Sequence, residues 1–222
     1  RPSFDPNTLS RELSSEEWLA ILKDKRHPFT NRAIQGLYPP GSTFKIVMAA
    51  AALETNGIDM TDTIQCKGRF RFGNRTFRDW KASGHGSMDL HNAMTHSCDV
   101  YFYKMGNRLG IETIARYATL FGLGEKTGID LPSEQSGIVP SAEWKERTRG
   151  EPWYPGETIS VAIGQGYVTV TPIQMAKIIA TISNNGVEHQ PQLVRGIRRR
   201  NTGEIETLPA SKSVSLGLQP NF

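Results

Sequence analysis

The run IVMAAAAL at residues 46–53 is apolar on every side and rich in alanine, which predicts a buried helix with no solvent-facing stripe. Gly57 sits where such a helix would stop, and Pro39, Pro40 and Gly41 punctuate its start. Ser42 and Lys45 then share the first turn and one face. A lysine opening a buried helix is costly unless its charge is compensated or its pKa falls. Two readings follow for the pair. In one, Ser42 caps the helix and Lys45 reaches solvent. In the other, Lys45 is a desolvated base that takes the proton of the Ser42 hydroxyl.

At 222 residues, the chain is long enough for one good core and at most two small domains. Net charge is +4, a mild excess. Arg198-Arg199-Arg200 reads as the only dense basic run, and Asn201-Thr202-Gly203-Glu204 after it signals a solvated hairpin turn. With no aromatic-interleaved basic stripe in this reading, no nucleic-acid partner is expected. No apolar segment reaches the length of a membrane span and no signal peptide opens the chain. The opening "RPSFDPNTLSRELSSEEW" reads as the interior of a longer protein.

Helix is the dominant expectation. Ser14 or Ser15 caps a helix from about Glu16 to Arg26, and a helical pattern resumes near Leu90, broken by Gly106 and Gly110. Ile111 to Leu120, Ala142 to Arg147, and a segment from Thr171-Pro172 to Asn185-Gly186 follow as helices. Residues 58–89 read as an irregular Gly/Arg-rich stretch, 130–158 as a proline-rich surface excursion, and 192–208 as two strands.

A second chemical constellation lies at "THSCDVYFYKMG", where Ser97 and Asp99 stand two apart before Tyr101, Phe102 and Tyr103. Together with Ser42-Thr43-Phe44-Lys45 it resembles the S-x-x-K and S-x-N (here S-x-D) motifs of the penicillin-recognising serine enzymes. The stretches "RAIQGLYPPGSTFKIV", "RDWKASGHG", "TGIDLPSE" and "ISVAIGQGYVTVTPIQMA" are similar to those of class B penicillin-binding proteins, nearest to their elongation-specific members. The resemblance covers nearly all of residues 1–195. It implies an α+β fold, the penicillin-recognising serine transpeptidase fold, with residues 1–222 a partial transpeptidase domain. This chain would supply mainly the helical part and lack most of the central antiparallel sheet. Lys126-Thr127-Gly128 spells the family's third motif but occupies a surface-loop position; the catalytic K-[ST]-G is expected on a strand beyond Phe222.

The resemblance further implies that Ser42 is the nucleophile, Lys45 its base, Ser97 a proton relay to the leaving amine, and Asp99 their anchor. The backbone N–H of Ser42 supplies half an oxyanion hole. The implied reaction is D,D-transpeptidation of peptidoglycan stem peptides during cell elongation, with β-lactams as acylating inhibitors. Implied partners are a membrane-embedded glycan polymerase and other elongation-complex proteins, on the periplasmic face of a bacterial inner membrane. A β-lactamase and a non-catalytic β-lactam-binding or interaction module are the alternatives.

Cys66 and Cys98 are the only cysteines, and outside the cytoplasm a disulfide is their default. With Asp79 and His85 they form C-x12-D-x5-H-x12-C within the segment 58–98, which has few apolar residues to hold it. Two thiolates, an imidazole and a carboxylate suit tetrahedral zinc, and zinc is a feature of some members that this chain resembles. Both the disulfide and the structural zinc site stand as expectations.

Overall fold

The computed structural model describes residues 4–218, so the ends of the expected 1–222 span lie outside the described residues. Three short helices open the chain: α1 (Pro6–Leu9), α2 (Ser15–Lys23) and α3 (Arg32–Gln35). The Ser14 hydroxyl accepts from Glu17 N–H while the Glu17 carboxylate accepts from Ser14 N–H, a reciprocal capping box. The expected run to Arg26 stops at Lys23, because Asp24 turns outward and its carboxylate accepts from the Arg26 backbone and guanidinium.

A 3-10 turn, Gly41–Phe44, leads directly into α4 (Lys45–Glu54). Residues 58–89, expected to be irregular, instead form four short strands: β1 (Ile64–Cys66), β2 (Arg69–Phe72), β3 (Arg75–Arg78) and β4 (Gly86–Met88). β1 pairs antiparallel with β4, and β2 with β3. These strands have three or four residues each, too short for the period-2 pattern to stand out in the sequence.

Helix α5 (Leu90–Thr95) precedes the long α6 (Asp99–Leu120). Only Gly110 kinks α6, at φ 73° and ψ 163°. Gly106, expected to break the pattern, lies inside the helix and serves packing: a Cβ there would stand 2.4 Å from the Cβ of Ala162. Helix α7 (Ala142–Arg149) and α8 (Pro155–Val161) fall within the proline-rich stretch, and α8 buries Thr158, Ile159 and Val161 against α6. That part is therefore core rather than surface excursion. Pro155 stands at the helix start, where its missing N–H costs nothing.

Helix α9 (Pro172–Ser183) follows its Thr171 cap, and four peripheral strands complete the chain: β5 (Val187–His189), β6 (Gly196–Arg198), β7 (Ile205–Thr207) and β8 (Ser213–Ser215). β6 and β7 flank the Asn201-Thr202-Gly203-Glu204 turn as expected. Among the described residues the strands form four two-stranded ladders and no larger sheet.

The core lies where α4 and α8 pack on α6. Alanines 50, 51 and 52 let the backbones approach, and Phe44, Met48, Tyr101, Phe102 and Met105 fill the interface. This packing brings the N-terminal turns of α4 and α6 together, so residues some fifty positions apart meet.

Candidate functional site

Ser42 stands in the 3-10 turn, where helix geometry leaves its backbone N–H without an intrahelical acceptor. Gly164 fixes that turn from behind. Its carbonyl accepts from Gly41 N–H at 2.9 Å, and a Cβ on it would stand 2.2 Å from the Gly41 oxygen. Gly164 has φ 68°, so both its conformation and its surroundings call for glycine. Close backbone packing at Gly164 therefore bears on the turn that carries Ser42.

Lys45 does not reach solvent; the residue is 1% exposed. Its Nζ donates to Asp99 Oδ1 at 2.6 Å, Ser97 O at 2.9 Å and Ser97 Oγ at 3.0 Å. Three acceptors match the three N–H groups of an ammonium. The Phe102 ring adds a cation–π contact, its centroid 5.4 Å from Nζ. Ser42 makes no side-chain cap, its hydroxyl lying 2.9 Å from Ser97 Oγ. The reading of a capping serine beside a solvated lysine is thereby excluded. The direct Lys45–Ser42 contact of the other reading is replaced by a bridge, with the Ser97 hydroxyl between the two. The same oxygen and nitrogen positions serve two proton arrangements. With a neutral Lys45 amine, Ser42 donates to Ser97 and Ser97 donates to Lys45. That arrangement can move the Ser42 proton to the lysine.

Ser97 owes its place to a strained turn. Cys98 N–H donates to Ala93 O and Ser97 N–H to Met94 O, the paired bonds of a Schellman motif closing α5. The motif requires a left-handed residue, usually glycine, and Ser97 has φ 52°. A side chain held there against a strain of about 1–2 kcal/mol points to a use for its hydroxyl.

Asp79 organises the ground beneath. Its Oδ2 accepts from Val100 N–H at 3.0 Å, capping α6 from outside the helix, and its Oδ1 accepts from Lys81 N–H at 3.0 Å. Burial pushes its carboxyl pKa up, but these backbone donors, the Cys98 thiol and His85 together hold it below the ordinary value.

Cys66, Asp79, His85 and Cys98 converge as expected, their ligand atoms all within 4.8 Å of one another. Each Sγ lies 3.5 Å from Asp79 Oδ2, Cys66 Sγ lies 3.6 Å from His85 Nδ1, and that nitrogen lies 3.4 Å from Asp79 Oδ1. Bond lengths of about 2.3 Å to sulfur and about 2.0 Å to nitrogen or oxygen give a tetrahedron with edges of about 3.3–3.8 Å, so the donor set fits zinc. Both cysteines are free thiols in the structure, and burial drives the Cys98 pKa far up, with Cys66 and Asp79 adding to the rise. A divalent cation would reverse that shift.

Lys126-Thr127-Gly128 stands apart. Thr127 N–H and its hydroxyl donate to Glu134 Oε1 at 2.8 and 2.5 Å, and Gly128 N–H donates to Oε2 at 3.1 Å. The segment lies on no strand, and its amides are committed to a buried carboxylate.

Three contributors escaped the sequence reading. Trp80, exposed beside Ser97, donates its indole N–H to His96 O and Ser97 O, each at 3.2 Å. Lys145, on α7, is buried in a salt bridge to Glu157 of α8 at 2.7 Å and sets the helix that leads to Gly164. Glycine 41 meets Gly164 backbone to backbone. The quoted "RDWKASGHG" and "RAIQGLYPPGSTFKIV" stretches contain Trp80 and Gly41, but only the packed fold assigns their contacts.

Comparison with known proteins matches residues 1–217 to the penicillin binding protein transpeptidase domain. The peptidoglycan D,D-transpeptidase MrdA of Acinetobacter baumannii is 40% identical over 213 residues, covering 95% of this chain and 32% of the relative. The chain thus spans about a third of the length of the curated relatives it matches. Pseudomonas aeruginosa PBP2, crystallised in complex with WCK 5153, superposes with a TM-score of 0.85 at 36% identity, over 95% of this chain and 48% of that one. A chain of a peptidoglycan synthase complex, solved for its coordination of polymerization and crosslinking, gives 0.81 at 39% identity over 94% and 36%.

Proposed function

This chain belongs to the penicillin-binding protein transpeptidase family, and from that premise we propose that it forms the nucleophile-bearing part of a peptidoglycan D,D-transpeptidase of cell elongation. The observation that carries the reading is the continuous path Ser42 Oγ–Ser97 Oγ–Lys45 Nζ–Asp99 Oδ1, each link 3.0 Å or shorter.

Ser42 Oγ attacks the carbonyl carbon of the penultimate D-alanine of a stem peptide. Its proton passes through Ser97 to Lys45 as the C–O bond forms. The Ser42 N–H faces the developing oxyanion. Collapse breaks the C–N bond, and the proton returns through Ser97 to the departing D-alanine amine. An amine of a neighbouring stem then attacks the acyl-enzyme, restores the Ser42 hydroxyl and leaves a cross-link. Asp99 holds Lys45 in line throughout. A β-lactam carbonyl acylates Ser42 by the same route.

Cys66, Asp79, His85 and Cys98 would hold a zinc ion, which would supply a structural clamp with no part in bond making. Such a clamp ties β1, the Asp79–His85 segment and the start of α6 together, and so steadies Ser97 and Asp99 on either side of Cys98. The synthase-complex relative, described as coordinating polymerization and crosslinking, supports a glycan polymerase as partner; a membrane-embedded polymerase and a membrane-anchored, periplasmic setting are part of the same proposal. Among the described residues no helix is long and apolar enough to cross a membrane.

The test uses the full-length protein with glycan strands bearing pentapeptide stems. Release of D-alanine together with cross-linked dimers is expected. Rapid, repeated hydrolysis of nitrocefin without dimers would point instead to a β-lactamase.

A further inference from the structure

Six of the 26 lysines and arginines fall in residues 67–81, with only one of the 22 acidic residues, Asp79. The rest of the chain is balanced, twenty cations against twenty-one acids. Asp79 is buried and occupied by backbone donors, so it does not neutralise its neighbours. The sequence reading placed the only dense basic run at 198–200; folding assembles a denser one on the β2–β3 hairpin.

The register sorts this hairpin into two faces. Phe70 lies opposite Phe77, and both rings pack on Tyr103, at 6.3 and 5.6 Å between centroids. Tyr103 also donates its hydroxyl to Arg78 O at 3.0 Å. The outward face carries Arg69 directly opposite Arg78, with Arg71 beside them opposite Thr76; Arg75, opposite Phe72, falls on the other face. All three outward arginines are exposed, and among the described residues none forms an ion pair. Like charges directly opposite in a ladder are destabilising, so this face lacks a counter-charge within the fold.

We propose that the outer face of the β2–β3 hairpin is a docking site for carboxylate-bearing peptide strands, the substrate of the neighbouring Ser42 site. The proposal rests on the transpeptidase reading. Two guanidinium forks side by side match carboxylates, which they grip in bidentate pairs. The hairpin is also fixed relative to Ser97 and Asp99. Tyr103, its anchor, lies one helical turn beyond Asp99, and Trp80, two residues after Arg78, donates to Ser97 O. Its four paired positions extend the site by about 13 Å from that edge. The aromatic rings face inward, so no base-stacking platform is offered to nucleic acid. No apolar side chain stands on the outer face for insertion into a membrane.

The test compares the full-length enzyme with Arg69→Gln/Arg71→Gln/Arg78→Gln and with the matching triple lysine variant. The probes are soluble uncross-linked glycan strands bearing pentapeptide stems, vesicles of phosphatidylglycerol, and a fluorescent penicillin. Each exposed contact is worth about two- to threefold, so the glutamine variant should bind strands about tenfold more weakly. Its KM should rise with kcat held, its salt dependence should flatten, and its penicillin labelling should be unchanged. The lysine variant should keep the salt dependence while losing part of the affinity. Strand affinity unchanged in the glutamine variant, or a loss confined to vesicle binding, overturns the proposal. If hairpin-dependent strand binding is seen without penicillin labelling in the parent enzyme, the docking site stands and the transpeptidase reading falls.

Discussion

Replacing Ser97 by alanine and by glycine separates its hydroxyl from its backbone. Both variants remove the bridge between Ser42 and Lys45, so both should lose acylation to the same extent. Loss of a proton-transfer group costs about 10²–10⁴-fold. Their stabilities should differ. Ser97 sits at φ 52°, and alanine keeps the left-handed strain of about 1–2 kcal/mol that glycine relieves. Glycine gives back about 0.4–1 kcal/mol through the greater freedom of its unfolded chain. The net advantage of glycine over alanine is therefore about 0.5–1 kcal/mol, or roughly 1–4 °C in Tm for a domain of this size. Stopped-flow acylation by a chromogenic cephalosporin and thermal melts of both variants read the two quantities separately. Equal melting temperatures would refute the strain at Ser97. Near-normal acylation in either variant would refute the bridge.

Gly164→Ala places a methyl group against the Gly41 backbone and forces a left-handed alanine, so it should cost about 2–4 kcal/mol and slow acylation of Ser42; calorimetry and penicillin labelling check both. Protein purified without chelator should hold about one zinc per chain by elemental analysis, and chelation or Cys98→Ser should lower Tm and acylation together. A Cys66–Cys98 disulfide with under about a tenth of an equivalent of zinc would contradict that reading. The Asp79 carboxyl titrates lower in the folded state than unfolded, so its stabilisation is full above the ordinary carboxylate value of about 3.9 and is lost as pH falls through its folded value. In chelator-treated protein, the stability gap between the parent and Asp79→Asn, measured by urea unfolding from pH 6 to pH 3, should therefore narrow below about pH 4; a constant gap would refute it.

The candidate site was legible because its motifs are local: Ser42 and Lys45 share a turn, and Ser97 and Asp99 share a helix start. Their meeting across more than fifty residues is a product of the alanine-rich α4 packing on α6; the all-round apolar run 46–53 announced a buried helix but not its partner. The grouping of Cys66, Asp79, His85 and Cys98 was readable through the family resemblance, because Asp59, Asp62, Asp89, His91 and His96 lie in the same segment and spacing alone does not choose among them. The hairpin of β2 and β3 was missed since four-residue strands give too little alternation and Gly73-Asn74 was not weighed as a turn. Gly106 misled for a different reason. A glycine that breaks a helix and one that admits a neighbouring helix look the same until Ala162 is in place. Helix α8 was hidden by the prolines around it, although Pro155 at its first position is a favourable start.

The central claim, that Ser42 is the nucleophile, is tested most directly by mass spectrometry of the full-length protein after incubation with penicillin. The adduct should map to the peptide containing Ser42 and be absent from Ser42→Ala. An adduct that persists in Ser42→Ala, or that maps to Ser97, would contradict it.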